Sequence, residues 1–366
     1  MTEKMVRHPL LELNLFREKT LSASSVIYFM TGFALVAPSL ILNYFLQDVL
    51  GDSPLHAALI IIPVSLTIMI AMPLATRLFA KVGAIPVTLT GMLVMAASLF
   101  LLSLIKTDTA TALIVVLLII NGMGFGFASV SLVASVRYLP KNKSGIGSGI
   151  VNAARQIGTC LGIAVLVTVL DTNIDTAKTQ IHHASDQIVT EKVLSPYVKS
   201  VAHQQLRKVF AGSSTPTTHQ QQKMKQVIAQ AAKVKTNLPK PATGTDLRRL
   251  YDASSALRHA NIKVTTGLTA LTKMMQQSHS PLSVSVTKLA TGATTINTNQ
   301  TAFLNGIKQI AQKQTLQTTF QSITHRKNTQ LSRAFSHTYL AGALIVLCLS
   351  PVALWTDRRQ LRTKSI

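Results

Sequence analysis

Apolar positions along the chain follow two distinct patterns. Six stretches are long and almost wholly apolar: Leu21 to Gln47, Leu55 to Thr76, Ala84 to Ile105, Ala110 to Val136, Gly145 to Leu170 and Thr338 to Thr356. Each is close to the roughly 20 residues a helix needs to cross about 30 Å of hydrocarbon. No water in that layer can satisfy the backbone, so these stretches predict helices. Arg155 is their single charged residue, and no Asp or Glu lies in any of them.

The second pattern fills residues 171–337, rich in Gln, Thr, Lys and Ala. A structureless loop of that length is implausible, and the spacing is helical. Leu247, Leu250, Ser254, Leu257, Asn261, Val264, Leu268, Leu271 and Met275 advance by alternating threes and fours, the a/d seam of a coiled coil. A second seam runs through Leu289, Ala293, Ile296, Gln300, Phe303, Ile307 and Ile310, and a shorter one from Ile174 to Ile188. Pro196, Pro216, Pro239, Pro241 and Pro281 mark turns between these runs. The expected fold is an all-α membrane protein of six transmembrane helices, with a large helical, coiled-coil insertion between helices five and six.

Charge gives the orientation. Lys4, Arg7, Arg17 and Lys19 precede the first stretch, Arg77 and Lys81 follow the second, and Arg137, Lys141 and Lys143 follow the fourth. Arg358, Arg359, Arg362 and Lys364 follow the sixth, whereas the opposite short connections hold only Lys106 beside Asp48, Asp52 and Asp108. The positive-inside rule then places a tail of residues 1–20 and a tail of residues 357–366 in the cytoplasm. Spans lie at 21–170 and 338–356 of a multi-pass plasma-membrane protein, and 171–337 lies outside. The first 20 residues are mixed and charged and do not read as a signal peptide.

Composition narrows the function. The net charge is +23, and from Thr172 to Phe335 there are 21 Lys and Arg against 5 Asp and Glu, a balance of +16. Mean hydropathy is +0.34 and aromatics are 5%, which leaves little material for a base-stacking nucleic-acid surface. Cys160 and Cys348 both fall in apolar runs, so neither a disulfide framework nor a zinc spacing is present. His182 and His183 are adjacent on a helix, about 100° apart, and read as a solvated face rather than a metal site. No nucleophile–base pair or phosphate loop appears, so the chain does not read as an enzyme and no cofactor is expected.

Features within the spans carry the rest. Asn121-Gly122-Met123-Gly124-Phe125-Gly126 resembles a nucleotide loop, yet it lies inside an apolar run, where glycines serve close helix approach. Gly145, Gly149 and Ala153, at four-residue intervals, predict a smooth face on the fifth helix, and Gly158 and Gly162 are further helix-packing positions. Arg155 sits about three turns into that helix, where a charge costs roughly 2.5–3.5 kcal/mol. It faces an aqueous cavity or a partner, or it snorkels. Pro38, Pro63 and Pro73 predict kinks. Asn43, Tyr44, Gln47, Asn121, Asn152, Arg155 and Gln156 are the candidate cavity residues, as polar groups in apolar spans.

These residues resemble a family. Pro9 through Leu15-Phe16-Arg17, Tyr44 to Gly51, Ser53 to Ala58 and Ile62-Pro63 resemble the start of the C-terminal six-helix domain of the 14-helix drug:proton antiporters of the major facilitator superfamily. Leu139-Pro140 through Gly145, Asn152, Arg155 to Gly158 and Gly162 to Ala164 resemble that family's penultimate helix. Arg77, Lys81 and Gly83 resemble its degenerate cytoplasmic loop motif. The resemblance implies efflux of hydrophobic or cationic small molecules, driven by proton entry through alternating access of two six-helix halves. The family's N-terminal half and its charged residues have no counterpart here. The resemblance therefore implies a half that is inactive alone and needs an N-terminal partner half or a homodimer, although a homodimer would still lack the carboxylate. Two other readings stand beside it. One is a truncated remnant; the other is a bilayer-anchored protein whose basic bundle binds anionic cell-envelope polymers or a partner.

Overall fold

The computed structural model describes residues 18–137, 139–210, 218–234 and 237–356. The charged positions Lys4, Arg7 and Arg17, the Pro9 to Phe16 motif, Pro216, and the tail residues Arg358, Arg359, Arg362 and Lys364 lie outside them. All regular elements among the described residues are helical: α1 Lys19–Tyr44, α2 Pro54–Val82, α3 Ala84–Leu102, α4 Thr111–Ala128, α5 Val130–Arg137, α6 Ser144–Glu191, α7 Pro196–Phe210, α8 Thr218–Ala231, α9 Asp246–Gln277 and α10 Ser283–Leu349. Among the described residues, six helical segments are long and apolar enough to cross a membrane: Lys19–Leu50, Pro54–Val82, Ala84–Leu102, Thr111–Arg137, Lys141–Glu191 and Ser283–Trp355.

Several helix ends differ from the apolar boundaries, each for a local reason. α1 does not stop at Gln47 but continues as a π-helical turn over Phe45–Leu50, ended by Gly51 at φ 80°. Asp48 therefore belongs to the first helix. The fourth stretch is broken at Ser129, whose Oγ donates to the Gly126 carbonyl at 2.6 Å. A Gly-rich turn followed by a back-bonded Ser is a recognised cause of a helix break. α6 and α10 run beyond their apolar parts, to 48 and 67 residues, because their polar continuations keep the helical spacing.

The chain divides into two compact units, residues 1–178 with 327–366, and residues 179–326. In the first, glycines set the helix contacts. A methyl group at Gly122 would lie 2.9 Å from the Val64 carbonyl oxygen, and one at Gly126 would collide with Ala71, so both sit against α2. Gly124 turns the other way, where a methyl would be 2.6 Å from Met95 Cγ of α3. α4 is thus wedged between α2 and α3. Ser98 Oγ of α3 donates to the Leu117 carbonyl of α4 at 2.8 Å. Such close approach is what small residues contribute where apolar burial drives no association.

The second unit has a core of Val189, Val198, Leu206, Met224, Ile228 and Leu316, drawn from α6, α7, α8 and α10. Gln312 ties it together: its Nε2 donates to the Ala232 carbonyl at 3.2 Å and its Oε1 accepts from the Ser195 amide at 3.4 Å. α9 starts on the Thr245 hydroxyl, which accepts from the Arg248 amide at 3.2 Å. It packs on α10 through Tyr251, Leu304 and Ile307, and Asn261 Nδ2 donates to the Ala293 carbonyl at 3.1 Å.

Candidate functional site

Within the first unit, α2 and α6 are peripheral. Only 22% of the apolar window of each is buried, against 56–67% for the windows of α1, α3 and α4. Their outward faces differ chemically. α2 presents Leu55, Leu59, Leu66, Met69 and Ile70, a surface suited to lipid tails. The first turns of α6 present Gly145, Gly149, Asn152, Ala153 and Gln156, and the helix beyond them presents Ile157, Leu161 and Val165. That stripe of small and polar groups is a poor lipid face, since an unsatisfied polar group in hydrocarbon is costly. A methyl group at Gly145 or Gly149 would meet nothing within 4 Å. Asn152 is exposed, and its Nδ2 returns to the Ser148 carbonyl at 3.1 Å.

The opposite side of α6 packs closely. A methyl at Gly158 would collide with the Phe29 carbonyl, and one at Gly162 would lie 2.9 Å from Phe33 Cα. Reciprocally, a methyl at Gly32 of α1 would collide with the Arg155 carbonyl. Glycines on both helices let the two backbones touch. Arg155 lies at the edge of this contact, half-buried, with its guanidinium carbon 6.0 Å from the Tyr28 ring centroid. That distance is at the limit of a cation–π contact.

The remaining candidates lie elsewhere. Asn43 and Gln47 share a hydrogen bond, Gln47 Nε2 donating to Asn43 Oδ1, and Tyr44 between them is exposed. This group begins 11 residues beyond Gly32, about 16 Å along α1, so it does not join Arg155. Asn121 is buried on α4, and its Nδ2 has no hydrogen-bond partner. The structure therefore brings Asn152, Arg155 and Gln156 together, pairs Asn43 with Gln47, and isolates Asn121. Arg77 and Lys81 are exposed at the end of α2, and Gly83, at φ 92°, turns the chain into α3. That positive φ favours glycine.

Two residues outside the candidate set hold this unit together. Tyr339 is buried, and its hydroxyl donates to the Pro38 carbonyl at 3.0 Å. Phe335 meets Phe45 edge-on, with centroids 5.2 Å apart. A single Tyr in an apolar stretch with a Pro in another is the only hint the sequence offers. No group of three or more His, Cys, Asp and Glu that could hold a metal occurs among the described residues.

Residues 2–163 match the family model described as Major Facilitator Superfamily. Among curated proteins, the chain is 30% identical over 169 residues to "Multidrug resistance protein Stp" of Mycobacterium tuberculosis, covering 46% of this chain and 31% of that protein. It is 27% identical over 165 residues to "Tetracenomycin C resistance and export protein" of Streptomyces glaucescens, covering 45% and 31%. To "Multidrug transporter protein MdtP" of Bacillus subtilis it is 25% identical over 203 residues, covering 55% and 35%. The chain thus spans about a third of the length of these relatives.

Proposed function

Because residues 2–163 match the Major Facilitator Superfamily model, we propose that the membrane unit is the C-terminal six-helix half of a multidrug efflux transporter, moving hydrophobic or cationic small molecules. The observation that carries this reading is the exposed Gly145–Gly149–Asn152–Gln156 face of α6. A helix of a membrane bundle that turns small and polar groups outward is suited to an aqueous path or another helix, not to lipid. Arg155, beside that face, is the charged residue best placed to meet a substrate or a partner helix. The relatives named for drug resistance and export support the substrate class.

A second six-helix unit must face α6 for the path to close, and without one this unit does not pump. Proton entry drives efflux in this reading; the six apolar stretches hold no Asp or Glu and Asp48 sits only in the last turn of the first helix, so the titrating group deep in the bilayer is assigned to the complementary half. Both termini are cytoplasmic. Residues 171–337 form an external helical insertion with coiled-coil seams, held outside by the balance of Lys and Arg in the short loops. Asn43, Tyr44, Gln47 and Asn121 are second-rank cavity candidates in this reading, since they stand apart from Arg155.

Site-directed spin labels at Asn152→Cys and Gln156→Cys test the α6 face, in a background with Cys160 and Cys348 replaced by Ser. The expected result is greater collision with a water-soluble nickel chelate than is seen at Leu59→Cys on α2. Oxygen-dominated, lipid-like accessibility at all three positions would contradict it.

A further inference from the structure

α9 and the first half of α10 form a two-helix hairpin that uses only half of its apolar seam. The positions turned toward the other helix, such as Asn261 and Leu268 on α9 and Ala293 and Ile307 on α10, are buried or half-buried. Leu250, Leu257, Val264 and Leu271 on α9 are exposed instead. So are Leu289, Ile296, Phe303 and Ile310 on α10. Each exposed set repeats every seven residues, the spacing that keeps one stripe in line along a supercoil.

In both helices the exposed set lies about 80° round from the centre of the mutual contact, at 100° per residue. The helices run antiparallel, so the same offset puts both sets on one side of the hairpin. Counted from Ser280 in the turn, the exposed positions fall 9, 16, 23 and 30 residues away in both directions. The face therefore has matching halves. Beside the apolar residues on this side lie Ala253, Ala260, Gly267, Gly292 and Gly306. A methyl at any of the three glycines would meet nothing within 4 Å. Glycine in an exposed helix costs about 0.8–1.0 kcal/mol relative to alanine, and close approach of another backbone is a reason to keep it.

We propose that this face is covered by the same face of a second copy of the chain, giving a four-helix bundle from two hairpins. Four observations select a second copy. The spacing is self-matching. Nine large apolar side chains (the eight above and Met274), 39–66% exposed, offer on the order of 900 Å², against about 800 Å² per partner in a standard interface. No Asp, Glu, Lys or Arg stands among these positions. Arg248, Lys263, Lys273 and Lys288 occupy other sides of the helices, and the charges that continue the small-residue stripes, Asp246 seven residues before Ala253 and Lys313 seven after Gly306, lie at the end away from the turn and are of opposite sign. Finally, the other end of this unit already builds its core from four helical segments, α6, α7, α8 and α10, and the hairpin end has two.

The full chain in detergent, followed by size exclusion with light scattering, tests this. The wild type should be a dimer, and the double substitution Leu257→Glu with Phe303→Glu should be a monomer with unchanged helical circular dichroism. Should that variant fail to fold, Gly267→Leu with Gly306→Leu fills the open space without adding charge, and it should weaken dimerisation roughly tenfold or more. A wild type that stays monomeric at the highest soluble concentration would overturn the proposal. So would a dimer that survives both variants. Neither result bears on the α6 face, which belongs to the other unit.

Discussion

Tyr339 of α10 donates its hydroxyl to the carbonyl of Pro38, 301 residues earlier in the chain, at 3.0 Å. Pro38 sits inside α1, where its ring removes one backbone hydrogen bond and crowds the preceding turn. The carbonyl left without its donor is that of Ala34, four residues earlier; the buried phenol on the neighbouring helix binds the Pro38 carbonyl itself, one turn further on. Tyr339→Phe should lower the thermal stability of the detergent-solubilised chain by about 0.6 kcal/mol, and by no more than ~1.7, the range for hydrogen bonds between membrane helices. An unchanged melting curve would mean the bond contributes nothing.

Contact between α1 and α6 predicts opposite outcomes for two glycines on one helix. Gly158→Val drives a side chain into the Phe29 carbonyl and should abolish the folded membrane unit, read as loss of monodisperse protein. Gly149→Val enters open space and should leave stability within about 0.5 kcal/mol. Equal effects of the two substitutions would contradict the packing described.

Orientation has its own test. In a cysteine-free background, Arg77→Cys and Lys81→Cys should react with an impermeant maleimide only in inside-out vesicles, and Thr109→Cys only in intact cells. The reverse pattern would invert the topology.

Arg155 separates function from stability. A charge at that depth costs roughly 2.5–3.5 kcal/mol, so Arg155→Gln should leave the melting temperature unchanged or raise it. With a complementary half present, the same variant should reduce efflux. A fall in stability that accounts for the loss of efflux would make Arg155 a packing residue.

The sequence was most legible where one physical requirement dominates. Uninterrupted apolar runs and their flanking charges outline the six helices, because lipid admits little else. The role of Gly158 could be anticipated, but that of Gly149 could not. Both are small residues of the fifth apolar stretch, yet nine residues apart they point about 180° apart on the helix, and it is Gly158 that meets Phe29. Asp48 was hidden because an apolar boundary at Gln47 ignores the π-helical turn that carries α1 on to Leu50. Both hairpin seams were readable as heptads, yet Leu257 and Phe303 are exposed. Periodicity names the apolar positions without saying which of two neighbours each one meets. Among the cavity candidates, polarity alone grouped Asn43 and Gln47 with Arg155, although the rise along α1 holds them apart.

In the proposed function, this unit transports only when a second six-helix unit faces α6. The direct measurement is ethidium movement in proteoliposomes under an imposed pH gradient, with the chain alone and with a complementary six-helix half reconstituted beside it. The chain alone should give no movement above the leak of empty vesicles, and both halves together should give gradient-dependent, saturable movement. Saturable, gradient-dependent ethidium transport by the chain alone would contradict it.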